Sequence, residues 1–198
     1  VGKDKACLVM HTEVKDSHGQ DLEAIVKNLN LGDGQVLFSQ EKVDAYRLSL
    51  MYNAADCTIN ISDAEGFGLA TLESLACETP IIVNMTGGLQ EQVTDGENWF
   101  GIGLEPTSKA IIGSQQIPYI YEDRLSEEKV VDALVEMYNK TQDERTSLGS
   151  AGRQHVLKNY NFEEYCGNWD KIFTDIHETM GSWDTRVKTQ RWSIEEVA

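Results

Sequence analysis

Between residues 6 and 88, short apolar runs alternate with segments of helical spacing, and this alternation constrains the fold more than any other feature. Residues 6–11 contain Leu8 and Val9 and end in a polar cluster, so they read as a buried strand. A loop with Gly19 follows at 16–20. Residues 22–29 then place Leu22, Ile25, Val26 and Leu29 at helical intervals before Gly32. Residues 36–39 form a second strand, 46–55 a helix and 57–61 a third strand. Residues 67–77 form a helix and 80–83 a fourth strand, and Thr86, Gly87 and Gly88 make a tight loop. The order β-α-β-α-β-α-β with nearly unbroken apolar strands predicts an α/β fold: a Rossmann-like parallel sheet with helices on both faces.

Past Gly96 the periodicity weakens. Residues 98–125 read as a long mixed connection with short strands at Ile111–112 and at 119–121. Helices resume at 126–140, 143–160 and 162–180. In the last segment Trp183 and Val187 stand four apart, the spacing of a short amphipathic helix, and Trp192 follows.

With 198 residues the chain can build one α/β domain with a real core, and its net charge of −16 sets limits on partners. A nucleic-acid binder shows a basic stripe, which this sequence lacks. The acidity also disfavours a membrane surface, and no apolar run reaches a membrane span. A small anionic ligand stays compatible, because backbone amides can bind one locally. The four cysteines, Cys7, Cys57, Cys77 and Cys166, form no CxxC pair, which argues against zinc. The first three sit in apolar contexts and read as small buried hydrophobes in a reducing, cytoplasmic setting.

The stretch DAEGFGLATLESLACETP (63–80) carries the candidate chemistry. Glu73 is surrounded by Leu69, Ala70, Leu72, Leu75 and Ala76, an apolar setting for a carboxylate. Ligands of open parallel sheets bind outside the carboxyl ends of the strands. Gly66 and Gly68 stand where the third strand turns into the helix, and they allow close approach of a ligand to main-chain amides. The helix start adds unpaired N–H groups and a partial positive charge, a site for phosphate. With a helix starting near Gly66 or Phe67, Glu65 lies at its mouth and Glu73 about 12 Å further along the same side. A carboxylate accepts two hydrogen bonds and suits a vicinal diol. This geometry allows sugar at Glu65, pyrophosphate at the Gly66–Gly68 amides and ribose at Glu73.

The run EGFGLATLESLACETPII resembles the signature of the GT-B-fold retaining glycosyltransferases of family 4. MYNAADCTINIS, HGQDLEAIV, VLFSQEKV and TGGLQEQVTDGEN are similar to segments of the same family, so the resemblance covers about residues 6–98. It implies the C-terminal half of a GT-B fold followed by C-terminal helices. It also implies a nucleotide-diphosphate sugar as donor substrate, no metal and no separate cofactor.

By resemblance, Glu65 holds the donor sugar's hydroxyls and is the candidate catalytic residue, and Glu73 holds the ribose. The amides of Gly66, Phe67, Gly68 and Leu69 serve sugar and phosphates. Lys42 and Val43 meet the base, Ser62 takes the strand-end serine position, and Thr86 and Gly87 shape the floor. Gln90 stands where the family usually has proline, which leaves that loop's conformation open. The family's preceding G-R…K segment and acceptor domain have no counterpart in the sequence. The expectation is therefore a donor-binding domain over 1–180 without its first strand and helix. Residues 181–198 form a tail packing toward an absent N-terminal domain, which would supply the glycan or small-molecule acceptor. By itself the chain is expected to be inactive. A non-catalytic nucleotide-sugar-binding module is the alternative. His11 and His18 border the expected cleft, whereas His155 and His177 lie in helices and read as structural. Tyr119–Arg124 (YIYEDR) reads as a strand with a polar end, with an acceptor-side surface as the alternative.

Overall fold

The computed structural model describes residues 5–17 and 19–185. His18, Val187 and Trp192 lie outside the described residues, as does the expected tail beyond residue 185. The chain divides into two compact units, Val1–Arg153 and Gln154–Ala198.

The first unit follows the alternation closely. Its elements run β1 (Leu8–His11), α1 (Leu22–Asn28), β2 (Val36–Ser39), α2 (Ala45–Ala54), β3 (Thr58–Asn60), α3 (Leu69–Ala76) and β4 (Ile81–Asn84). They continue with α4 (Leu89–Val93), β5 (Gly101–Leu104), β6 (Ser108–Ile111), β7 (Tyr121–Arg124), α5 (Glu127–Asn139) and α6 (Gln142–Asn159), whose last residues fall past the division. Aspartates cap the early helices: Asp21 accepts from the Ala24 amide and Asp44 from the Arg47 amide, which fixes where α1 and α2 start.

The strands form three ladders. β1 pairs with β2 in parallel, β3, β4 and β5 make a parallel sheet in that order, and β6 and β7 form an antiparallel pair. β4 is buried along its whole length. On one face Ile82 packs with Leu104 against Ala133 and Met137 of α5. Ile81 and Val83 point to the other face by strand alternation, where α3 and α4 pack on the sheet. The parallel sheet with helices on both faces is therefore present. In β1 and β2, by contrast, Leu8, Val9 and Leu37 are exposed, so apolar composition did not mean burial there. Cys7 is likewise exposed and Cys57 and Cys77 are half-buried, which corrects their reading as core residues.

Two elements come from residues that carried no periodic signal. β5 is GIGL, and its glycines are required by space. A Cβ on Gly101 would stand 1.9 Å from the Ile81 carbonyl oxygen, and one on Gly103 would strike Met85 and Trp99. α4 has five residues, too few to display a helical period.

The second unit holds the end of α6 and the helix α7 (Phe162–Met180). Asn161 caps α7 by accepting from the amides of Glu163 and Glu164. Phe162, Tyr165, Trp169 and Phe173 form a ladder of ring contacts along one face. His155 makes a hydrogen-bonded contact with Asn159 and an edge contact with Tyr160, in keeping with a structural role.

Candidate functional site

The site begins where β3 ends. Asn60, its last residue, receives the Ser62 amide on Oδ1 at 3.1 Å and turns the chain. The same side chain donates from Nδ2 to Glu65 Oε2 at 3.3 Å, holding a half-buried carboxylate over the strand end. The turn is braced from β7. The Asp123 amide donates to the Asp63 carbonyl at 2.7 Å, and Arg124 forms an ion pair with the Asp63 carboxylate at 2.6 Å. Asn84, fully buried at the end of β4, donates to the carbonyls of Ser62 and Asp123. The polar end of the YIYEDR segment is thus structural, as its sequence suggests.

The glycine turn and the Gly87-Gly88 loop meet through their backbones. The Gly88 amide donates to the Gly66 carbonyl at 3.1 Å. A Cβ on Gly87 would stand 1.7 Å from the Glu65 carbonyl oxygen, and one on Gly88 would stand 2.7 Å from that of Phe67. Only glycine permits this approach. Gly68 has φ +86°, a left-handed residue that caps α3, and a Cβ there would run into Leu89. The structure therefore brings together Glu65, Gly66, Phe67, Gly68, Leu69, Thr86 and Gly87 at the carboxyl edge of β3 and β4. Thr86 is buried, while Phe67 and Leu69 expose their side chains.

Gln92 is a residue that periodicity did not single out. It is fully buried, donates from Nε2 to the carbonyls of Phe67 (2.6 Å) and Gly68 (3.1 Å), and accepts from Thr71 Oγ1 at 2.5 Å. Its sequence signal is a polar residue between Leu89 and Val93, both fully buried.

Because the left-handed Gly68 delays the helix, α3 starts at Leu69. Glu73 then lies one turn in, about 6 Å from the helix start, so the expectation of two turns of continuous helix from Glu65 is corrected. Glu73 is also exposed, and its apolar sequence neighbours do not enclose it. What it gains is a partner. The Tyr52 hydroxyl of α2 donates to Glu73 Oε2 at 2.9 Å. Burial, and then the Glu73 carboxylate, push the Tyr52 phenol well above the ordinary tyrosine range, so it stays a hydrogen-bond donor.

Ser62 is exposed and reaches the cluster through its main chain. Lys42 (exposed) and Val43 (half-buried) lie between β2 and the α2 cap. Among the described residues no hydrogen bond or ion pair ties them to Glu65 or Glu73. His11 contacts the Ser39 hydroxyl at 3.0 Å where β1 and β2 end, and it stays with that ladder.

A parallel three-stranded sheet covered on both faces, with glycine loops joined by backbone at the carboxyl edge of β3 and β4, defines a doubly wound α/β domain. Residues 15–111 match the profile of the family described as glycosyl transferases group 1. The chain is 37% identical over 84 residues to a D-inositol 3-phosphate glycosyltransferase of Acidothermus cellulolyticus, a match covering 42% of this chain and 18% of the relative. Among solved structures it is similar to sucrose-phosphate synthase from Thermosynechococcus elongatus, with TM-score 0.64 and 26% identity, covering 88% of this chain and 39% of that one. It is also similar to the C-terminal domain of a glycosyl transferase group 1 family protein from Francisella tularensis, with TM-score 0.52 and 26% identity, covering 72% and 62% of the two chains. The chain contains a group 1 glycosyltransferase domain of the GT-B fold. No described helix is long and apolar enough to cross a membrane.

Proposed function

We propose that this chain binds a nucleotide-diphosphate sugar and that the intact enzyme transfers the hexose to an acceptor hydroxyl with retention of anomeric configuration. The bond from the anomeric carbon to the diphosphate oxygen breaks, the bond to the acceptor oxygen forms, and the acceptor proton passes to the departing phosphate. Glu65 meets the sugar hydroxyls, the amides of residues 66–69 meet the sugar and phosphates, and Glu73 meets the ribose diol. Lys42 and Val43 face the base, while Thr86 and Gly87 form the floor. The resemblance assigns the reaction no metal, and the four free thiols support a reducing, cytoplasmic setting.

The observation that carries this reading is the docking of the Glu65–Gly68 turn on the Gly87-Gly88 loop, beside a carboxylate, at the sheet edge where ligands of such folds bind. The similarity to group 1 glycosyltransferases supports it. Titration calorimetry of the chain against UDP-, GDP- and ADP-sugars tests it. Saturable binding of one nucleotide class is expected, and heats indistinguishable from dilution for all three would refute it.

A further inference from the structure

Three consecutive carbonyls at the glycine turn are taken up from inside the protein. Gly66 O accepts from the Gly88 amide, and Phe67 O accepts from Gln92 Nε2. Gly68 O accepts from Gln92 Nε2 and from the Leu72 amide, and the Thr71 hydroxyl, whose one proton goes to Gln92 Oε1 at 2.5 Å, lies 2.9 Å from it. In a trans peptide the C=O of one residue and the N–H of the next point in opposite directions, and no peptide bond among the described residues is cis. The N–H groups of Phe67, Gly68 and Leu69 therefore face away from these interior donors. Those of Gly68 and Leu69 have no acceptor among the described residues. Successive amides around a left-handed residue make a concavity for an anion.

From this we infer that Gln92 is a positioning residue for the diphosphate, an assignment that rests on the donor-binding reading above. It touches no ligand. Its amide fixes the orientation of two peptide planes, and Thr71 fixes the amide by donating to Oε1, so that Nε2 faces the carbonyls. Gln92 is fully buried, as are Leu89 and Val93 of the same short helix, and an apolar residue of equal volume would fill the same space. Its three polar contacts all serve the turn, and losing them releases the Phe67 and Gly68 carbonyls to rotate. The chemistry recognised is that of a diphosphate, whichever nucleoside carries it.

Gln92→Met keeps the volume and removes the donors. The measurement is the affinity of UDP, GDP and ADP relative to the corresponding nucleosides, in the wild-type chain and the variant. The phosphate-dependent gain is expected to fall about ten-fold or more while nucleoside affinity holds. Thr71→Val, which frees the Gln92 amide to flip, should reduce the same gain. An unchanged gain in a folded variant overturns the assignment and leaves donor binding standing. Failure of the wild type to bind any of the three diphosphates overturns both. Independent of any variant, the backbone amide resonances of Gly68 and Leu69 should shift on titration with the bound diphosphate, and fixed resonances at saturation would also overturn it.

Discussion

The Tyr52 hydroxyl donates to Glu73 Oε2 across 2.9 Å and ties α2 to α3 beside the ligand edge. The side chain is thereby held by one of its oxygens, and on the proposed function Oε1 is the oxygen for the ribose diol. Tyr52→Phe should cost about 0.5–1.5 kcal/mol of stability in urea unfolding. It should weaken binding of a ribonucleoside diphosphate several-fold and leave a 2′,3′-dideoxy analogue almost unaffected, as read by calorimetry.

Gly87 is the tightest point of the loop pair. Its φ is +50°, and a Cβ would collide with the Glu65 carbonyl oxygen, which cannot give way as a flexible side chain would. Gly87→Ala should lower stability by about 1–3 kcal/mol. It should also weaken donor binding, because the Glu65 main chain has to move. Chemical denaturation together with a donor titration checks both.

Arg124 braces the β3 turn through Asp63 while both side chains stay more than a third exposed, at 43% and 37%. Water screens such a pair, so Arg124→Ala should cost no more than about 1 kcal/mol of stability. The expected consequence is local: faster hydrogen exchange at residues 62–65 with little change in β4.

Burial raises the Cys57 thiol from its ordinary value of 9.0 to about 11, with the Asp56 carboxylate adding to the rise and Arg145 opposing it. The folded state thus holds a proton that the unfolded chain releases above about pH 9. The contribution to stability is complete below that pH and is lost as pH rises toward about 11. Unfolding free energy should fall across that interval, and Cys57→Ala should flatten part of the fall. Alkylation at pH 8 should be slow at Cys57, whose thiol is protonated and half-buried.

Much of this fold was legible because a buried parallel sheet leaves a strong trace: Ile81, Ile82 and Val83 are apolar because both faces of β4 are covered. β5 was not legible, because its glycines answer to the Ile81 backbone and to Met85 and Trp99, contacts that exist only once the sheet is assembled. The acid pair was found, but its geometry was not. A helix drawn from Phe67 overlooks the left-handed Gly68, and apolar neighbours suggested burial for Glu73 although Leu69 beside it is 68% exposed. Gln92 was hidden for a related reason. Five residues cannot show which face of a helix is inward, so nothing in the sequence marked this amide as buried.

On the proposed function the two acids divide the donor between them, Glu65 taking the sugar and Glu73 the ribose of one nucleotide-diphosphate sugar. The most direct measurement is calorimetric affinity for the nucleotide sugar and for its nucleoside diphosphate in the wild type, Glu65→Ala and Glu73→Ala. Glu65→Ala should remove the affinity added by the sugar and leave the nucleoside diphosphate unchanged. Glu73→Ala should weaken both ligands by the same factor, on the order of ten-fold. Wild-type affinity of both variants for both ligands would rule this division out.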